Sequence, residues 1–338
     1  MDNNAVKEIA SMVGLIDTYK RWVNYKSKQN KERKYISYHP SEWGHCLRAQ
    51  QYKHYAELGL IEVEYFEIPS KRLRLFDHGH NMHSRWVRYF RQIGILRGRW
   101  QCQNPLCFLS NEDGTLKNNL NSKLIEEILE KGEKRIYGEK NLQGVFQPSK
   151  CKCGYTKFRY LETGVRDKIL NMKGNADLIL DCSNLNPNKF EGVRRTFDSR
   201  FLPAAGEKVV GEMKSIGSNP WNYQLEKKGP YMAHLIQVNI YIHILDCDYG
   251  FLIYENKDNS EIEIHKIDRN KEWWETIKWQ AKKMQEMVSN RQLPPPKPAS
   301  KMSHDCKSCD FKSICHKSKI WTDSQLLKKR KNFYGVFL

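Results

Sequence analysis

A mixed α/β core is what this 338-residue chain predicts. Three observations carry that expectation. The stretches "NADLILD" and "EKVVGEMKS" run apolar or alternate over strand lengths. The pair "YGFLIYEN" and "EIEIHKI" reads as a β-hairpin. Between and after them, "GPYMAHLIQVNIYIHILD" and "NKEWWETIKWQAKKMQEMVSN" carry apolar residues at helical spacing. The predicted order is helix, insertion, strand, strand, helix, strand, strand, helix.

Each element has its own signature. "RLRLFDHGHNMHSRWVRYFRQIG" places Phe76, Met82, Trp86, Tyr89 and Phe90 on one broad helical face. Pro230 suits a helix entry, with Leu235, Val238, Ile242 and Leu245 following as the inward stripe. The last long helix presents Trp274, Ile277, Ala281, Met284 and Met287, with Trp279 at the edge of the buried face. Trp273 and Trp274 read as core or, alternatively, as base-stacking platforms. "RQLPPPKPASKM" reads as a linker, because its prolines cannot continue a helix.

Composition narrows the function. Hydrophobic residues make up 39% and aromatics 12%, enough for a packed core and against disorder. No run of 18 apolar residues occurs, so no membrane partner is expected. The N-terminus lacks a signal-peptide pattern, which predicts a cytoplasmic protein, or one of the host cytoplasm for a phage-encoded chain. In a reducing compartment the ten cysteines point to metals rather than disulfides. The formal charge is +18. A zinc and an iron–sulfur cluster on four thiolates each would bring it to roughly +14. Such a surplus favours a polyanionic partner, most simply nucleic acid.

The chemistry-bearing residues are scattered. Glu212 and Lys214 stand two apart in a predicted strand, so both side chains share a face and Met213 points the other way. Alone, that is an ordinary salt bridge. Asp177 begins the preceding strand after a predicted turn at Gly174. Gln237 and Tyr241 lie one helical turn apart. His83 follows Gly79 by four on the upstream helix. In this order the set Gly79–His83, Gly174–Asp177, Glu212–Lys214 and Gln237–Tyr241 resembles the PD-(D/E)XK nuclease superfamily in its RecB-like branch. Ala176 stands where the family name has proline. The resemblance implies a restriction-endonuclease-like core, a mixed sheet flanked by helices. It also implies that Asp177, Glu212, the Met213 carbonyl and His83 hold Mg2+ or Mn2+, a hard-ligand set that suits those ions. Lys214 would orient the attacking water or stabilise transition-state charge. Gln237 and Tyr241 would position the backbone.

Two cysteine sets remain. "HDCKSCDFKSICHK" carries Cys306, Cys309 and Cys315 in a C-x2-C-x5-C pattern that lacks a fourth ligand. RecB-like nucleases with a [4Fe–4S] cluster, such as those of AddB and of CRISPR adaptation, are similar: they keep one cysteine upstream of the nuclease motifs. Here that resemblance implies Cys46, in "HPSEWGHCLRAQQYKHY", about 260 residues earlier. The cluster would join the N- and C-terminal segments as a lasso, worth ~5 kcal/mol in the chain-entropy model. Spacing alone admits zinc as well as iron. The second set, Cys102, Cys107, Cys151 and Cys153, forms two close pairs and reads as a zinc ribbon, or as free buried thiols. Cys182 and Cys247 read as core.

The expected organisation is an N-terminal helical part (1–95), a zinc-ribbon-like insertion (96–160), a nuclease core (161–292) and a cluster-binding tail (293–338). The insertion's middle, residues 119–144, holds a predicted amphipathic helix. Arg194, Arg195 and Arg200, in the long loop before Glu212, are candidates for phosphate contacts or simply solvated. The function expected is a metal-dependent DNA nuclease, exonuclease before endonuclease, acting on ends or single strands. The alternatives are a non-cutting DNA-end-binding module, a subunit for a helicase or recombination partner or a CRISPR adaptation complex, and a redox protein. No Walker A sequence occurs, so helicase activity would come from a partner.

Overall fold

Of the ten strands among the described residues, eight join one sheet. The computed structural model describes residues 17–21, 37–62, 69–115, 117, 134–138, 144–185 and 206–338. The predicted amphipathic helix of the insertion lies almost wholly outside them, as do Arg194, Arg195 and Arg200. The helices in chain order are α1 (Pro40–Trp43), α2 (Leu47–Glu57), α3 (Ser70–Ile93), α4 (Met232–Ile244), α5 (Lys271–Ser289), α6 (His304–Lys307), α7 (Lys312–Cys315) and α8 (Leu326–Tyr334). The strands are β1 (Leu96–Cys102), β2 (Ile136–Tyr137), β3 (Val145–Phe146), β4 (Phe158–Leu161), β5 (Thr163–Asp167), β6 (Met172–Ala176), β7 (Leu178–Asp181), β8 (Lys208–Ile216), β9 (Tyr249–Asn256) and β10 (Ile262–Asp268). The chain divides into two units. One comprises 39–44 and 83–277, the other 1–38, 45–82 and 278–338.

The first unit holds the sheet, ordered β10-β9-β8-β7-β1-β2, with β3 and β4 also on β1. Among the described strands only β8 and β9 pair in parallel, Glu212 opposite Leu252 and Lys214 opposite Tyr254. The α4 crossover between them supplies the cover. Its Ile236, Val238, Ile240 and Ile242 are fully buried. The helix lies so close that a Cβ on Gly250 would stand 2.4 Å from Val238 Cγ1. The β9–β10 hairpin is as expected.

One strand differs from expectation. "NADLILD" is not a single strand after a turn at Gly174. Gly174 lies inside β6, which pairs with β5 in a separate two-stranded sheet, while β7 joins the large sheet. The turn falls earlier, at Asn171, whose φ is +52°. Asp177 sits at the bend where the chain changes sheets. Gly174 matters instead for closeness: a Cβ there would meet the Tyr241 hydroxyl at 3.1 Å and Pro40 at 3.2 Å.

In the second unit polar contacts tie distant segments together beside buried Leu47, Met284, Phe311 and Phe333. Helix α2 buries Arg48, Gln51, Tyr52 and Tyr55 together. Gln51 Nε2 donates to the Met284 carbonyl (3.3 Å), and the Tyr55 hydroxyl to those of Met287 and Gln292. The proline segment 291–302 is irregular but not a free linker. Prolines lack N–H groups and form no ladder, so their neighbours' carbonyls need side-chain donors. Arg48 donates to Pro294 O, Tyr334 to Pro295 O, and Arg330 to Lys297 O. The long helices differ too. On α5 Ile277, Ala281 and Met284 are buried and Trp279 is half-exposed, as its edge position suggests. On α3 Met82 is buried but Phe76 and Tyr89 stay exposed, so the predicted apolar face is not a core face. Cys182 and Cys247 are buried, as read.

The closeness of α4 and β9 can be checked. Gly250→Ala should destabilise by about 1–3 kcal/mol through overpacking. Val238→Ala removes the atom it would strike, so the double variant should lose less than the two singles summed in a denaturant-melt cycle. Strict additivity would mean that α4 does not rest on Gly250.

Candidate functional site

Strand β8 is apolar until Gly211, then turns polar within three residues. Glu212 is buried, and Lys214 reaches back to it: Nζ to Oε1 is 2.6 Å. Period two put both on one face, as the sequence implied. Helix α4 supplies the next partners from one stripe. Gln237 Nε2 donates to Glu212 Oε1 (2.8 Å) and to the Tyr241 hydroxyl (3.1 Å). Its Oε1 accepts from Lys214 Nζ at 3.1 Å. Asp177, at the β6–β7 bend, accepts the Met213 N–H through Oδ2 at 2.8 Å. Its other oxygen, Oδ1, faces His83 Nδ1 at 3.5 Å. The Tyr160 hydroxyl donates to the Asp177 carbonyl at 3.0 Å.

The charges interact strongly because they are dry. Burial, and then the nearby Glu212 carboxylate, push the Asp177 carboxyl well above its usual range. Burial alone would lower the Lys214 ammonium's pKa, but Glu212 outweighs it and the net shift is upward. Burial, with Glu212 behind it, raises the Tyr241 phenol.

A hard cation fits part of this set on two observations. Buried Glu212 Oε2 has no hydrogen-bond partner among the described residues. And ligand atoms of His83, Glu162 and Asp177 lie within 4.8 Å of one another. Glu162 was not anticipated. It is an exposed carboxylate at the corner between β4 and β5, in "LETG", which carries no motif. Glu212 does not belong to that triplet, which joins Glu162 to His83 and Asp177. His83, Glu162, Asp177 and Met213 line a cavity of about 470 Å3, together with Arg88 and Arg91.

Four cysteines lie buried and close together beyond β1. The sulfurs of Cys102 and Cys153 are 3.6 Å apart, as are those of Cys107 and Cys151, and all four fall within 4.8 Å. Four thiolates about 2.3 Å from one zinc stand ~3.8 Å apart, so the set fits a tetrahedral ion. Gly154 turns the second knuckle at φ +79°, where a Cβ would meet the Glu112 carbonyl at 2.9 Å. Burial pushes the Cys102 and Cys107 thiols up. Burial also acts upward on Cys151, but the Tyr137 hydroxyl, 3.2 Å from its sulfur, and backbone N–H donation bring it down to about 6.

The terminal cysteines also meet. Cys46, Cys306, Cys309 and Cys315 line one pocket with Tyr52 and Phe311. The Lys297 N–H points at Cys46 Sγ (3.4 Å), and Ser303 caps α6 by accepting from the Cys306 N–H. No helix among the described residues is long and apolar enough to cross a membrane.

No known family profile matches the chain. The solved crystal structure of a protein designated SSO0001 aligns with it at 14% identity and a TM-score of 0.43, covering 90% of this chain and 97% of that one. A likeness that slight carries no argument about this chain.

The upward shift at Asp177 generates a stability prediction. Its ionised form is disfavoured in the fold, so the metal-free protein loses stability as pH rises through its elevated pKa. Asn keeps an acceptor for the Met213 N–H and removes the charge. Asp177→Asn should therefore melt a few degrees higher than wild type in chelator at neutral pH, and lose most of any Mn2+-induced gain. A lower melting temperature in chelator would show that Asp177 is not a buried charge held at a cost.

Proposed function

We propose that this chain is a divalent-cation-dependent DNA nuclease of the PD-(D/E)XK type, RecB-like, acting as an exonuclease on ends or single strands. The observation that carries the reading is the hydrogen-bonded set Glu212, Lys214, Gln237 and Tyr241 beside Asp177, which lines one cavity with His83 and Glu162. A raised carboxyl at Asp177 beside Glu212 is in keeping with that reading.

His83, Asp177 and Glu212, with Glu162 and the Met213 carbonyl, would hold Mg2+ or Mn2+. The chemistry supplied by such a bound cation is Lewis acidity toward a phosphate oxygen and a water. Lys214 stays charged beside Glu212 and is placed to donate to charge developing on the phosphoryl group. Gln237 fixes the ammonium by accepting from it and fixes Glu212 by donating to it. Tyr241, kept protonated, anchors Gln237 from behind.

Zinc is assigned to Cys102, Cys107, Cys151 and Cys153, and a [4Fe–4S] cluster to Cys46, Cys306, Cys309 and Cys315. Spacing supports the difference. Among the described residues the terminal four do not gather within 4.8 Å as the first four do. A cubane carries its thiolates on separate irons and so holds them further apart than one zinc does.

Anaerobically purified protein should degrade end-labelled DNA with Mg2+ or Mn2+. Glu212→Gln and Lys214→Ala should each lower single-turnover cleavage by about 10²-fold or more while DNA binding persists. Unchanged cleavage in either variant removes the catalytic assignment. Elemental analysis should give about four irons and one zinc per chain. Cys46→Ser and Cys309→Ser should both lose iron and keep zinc. Full iron in Cys46→Ser alone would remove Cys46 from the cluster.

A further inference from the structure

A second cavity, about 730 Å3, is also lined by Arg88 and Arg91, and continues to Gln92, Phe146 and Gln147 over a floor that includes Trp100. Each cavity is the size of a substantial ligand pocket. The two arginines are therefore the wall shared between the catalytic cavity and a neighbour that the proposed chemistry does not use.

Their state is informative. Both are exposed, and neither pairs with a carboxylate among the described residues. The Arg91 guanidinium lies 5.8 Å over the ring of Trp100, a buried indole whose Nε1 donates to the Val145 carbonyl at 2.9 Å. That stacking holds the side chain while leaving its N–H fork unspent. Arg88 rests 5.5 Å from the Tyr89 ring. Three residues apart on α3, the pair is separated by ~4.5 Å along the helix axis and stands on one face of the helix. Arg159 adds a third cation to the first cavity. Beyond them Phe146 is half-exposed, an aromatic surface that a base can stack on and a sugar-phosphate chain cannot use.

We infer that the two cavities form one track for a single-stranded polynucleotide, with phosphates on Arg88 and Arg91 and a base on Phe146. The inference rests on the nuclease reading for its direction, away from the Asp177–Glu212 centre. Its cations and aromatic surface stand independently of it. A duplex keeps its bases paired and would have no use for Phe146.

The test is anisotropy titration of labelled oligonucleotides in chelator, where no cutting occurs, across a series of salt concentrations. Probes are oligo-dT and oligo-rU of three and twelve nucleotides and a blunt duplex. Arg88→Gln with Arg91→Gln should weaken twelve-nucleotide binding by about 10-fold or more and reduce the slope of log K against log salt by about 1.4, roughly 0.7 per single-strand phosphate contact. Lysine at both positions should restore most of the slope. Phe146→Leu should weaken the twelve-nucleotide probe about 10-fold and leave the slope and the three-nucleotide probe unchanged. Zinc content and melting temperature report that the variants are folded. The deoxy and ribo arms tell which strand the track takes, and a loss in either supports it. An unchanged slope in the double variant overturns the track, as does an equal loss on the blunt duplex. The two readings fail separately. Wild type that cuts nothing with Mg2+ or Mn2+ yet shows these losses keeps the track and removes the nuclease. Normal cutting with unchanged binding in the variants does the reverse.

Discussion

Two carboxylates buried within reach of each other set the terms for the sheet unit. Asp177 and Glu212 repel, and neither is well hydrated. Removing charge from water costs several kcal/mol per ion unless partners are placed with good geometry. The partners come from three directions: Lys214 from the same strand, Gln237 from α4, and the Met213 N–H onto Asp177. Each contact fixes a piece of backbone. The parallel crossover has to deliver α4 in one register, and Gly250 and Gly174 are bare because that register brings α4 against β9 and the Tyr241 hydroxyl against β6. The packing of the unit thus follows from the need to accommodate the carboxylates, and stability is given up where a cation would restore it.

The cysteine-lined unit solves a different problem. Its α2 helix has few aliphatic side chains to bury, so it is held by Arg48, Gln51 and Tyr55 donating to carbonyls. These bonds add specificity at about 1 kcal/mol net each, alongside the buried Leu47, Tyr52, Phe311 and Phe333. Four thiolates converging on one group would add the strong, directional bonds that the side chains there do not supply.

Local features were the legible ones. Strand β8 and its Glu212–Lys214 pair, the β9–β10 hairpin and the Gln237–Tyr241 stripe all depend on spacing within a few residues. What escaped the sequence depends on contacts made far along the chain. The exposed aromatic face of α3 has the same periodicity as a buried one. Gly174 looks like a turn residue and is instead a strand residue crowded by Tyr241. Glu162 reaches His83 and Asp177 only because β4 and β5 belong to different sheets, and no motif encodes that. The prolines of 291–302 suggested a linker because sequence shows the missing donors but not Arg48, Tyr334 and Arg330, which answer the carbonyls.

The unit that gathers Cys46, Cys306, Cys309 and Cys315 is assembled from three separated stretches, with residues 83–277 lying between its second and third. A ribosome makes those stretches in order. Helix α2 is synthesised first but cannot acquire its acceptors on Met284, Met287 and Pro294 until more than two hundred further residues have emerged. Synthesis at about 5–20 residues per second makes that a wait of ten seconds or more. The sheet unit, contiguous apart from a six-residue piece, can fold inside that interval. The earlier segment meanwhile waits without the carbonyls that Arg48, Gln51 and Tyr55 meet in the finished unit.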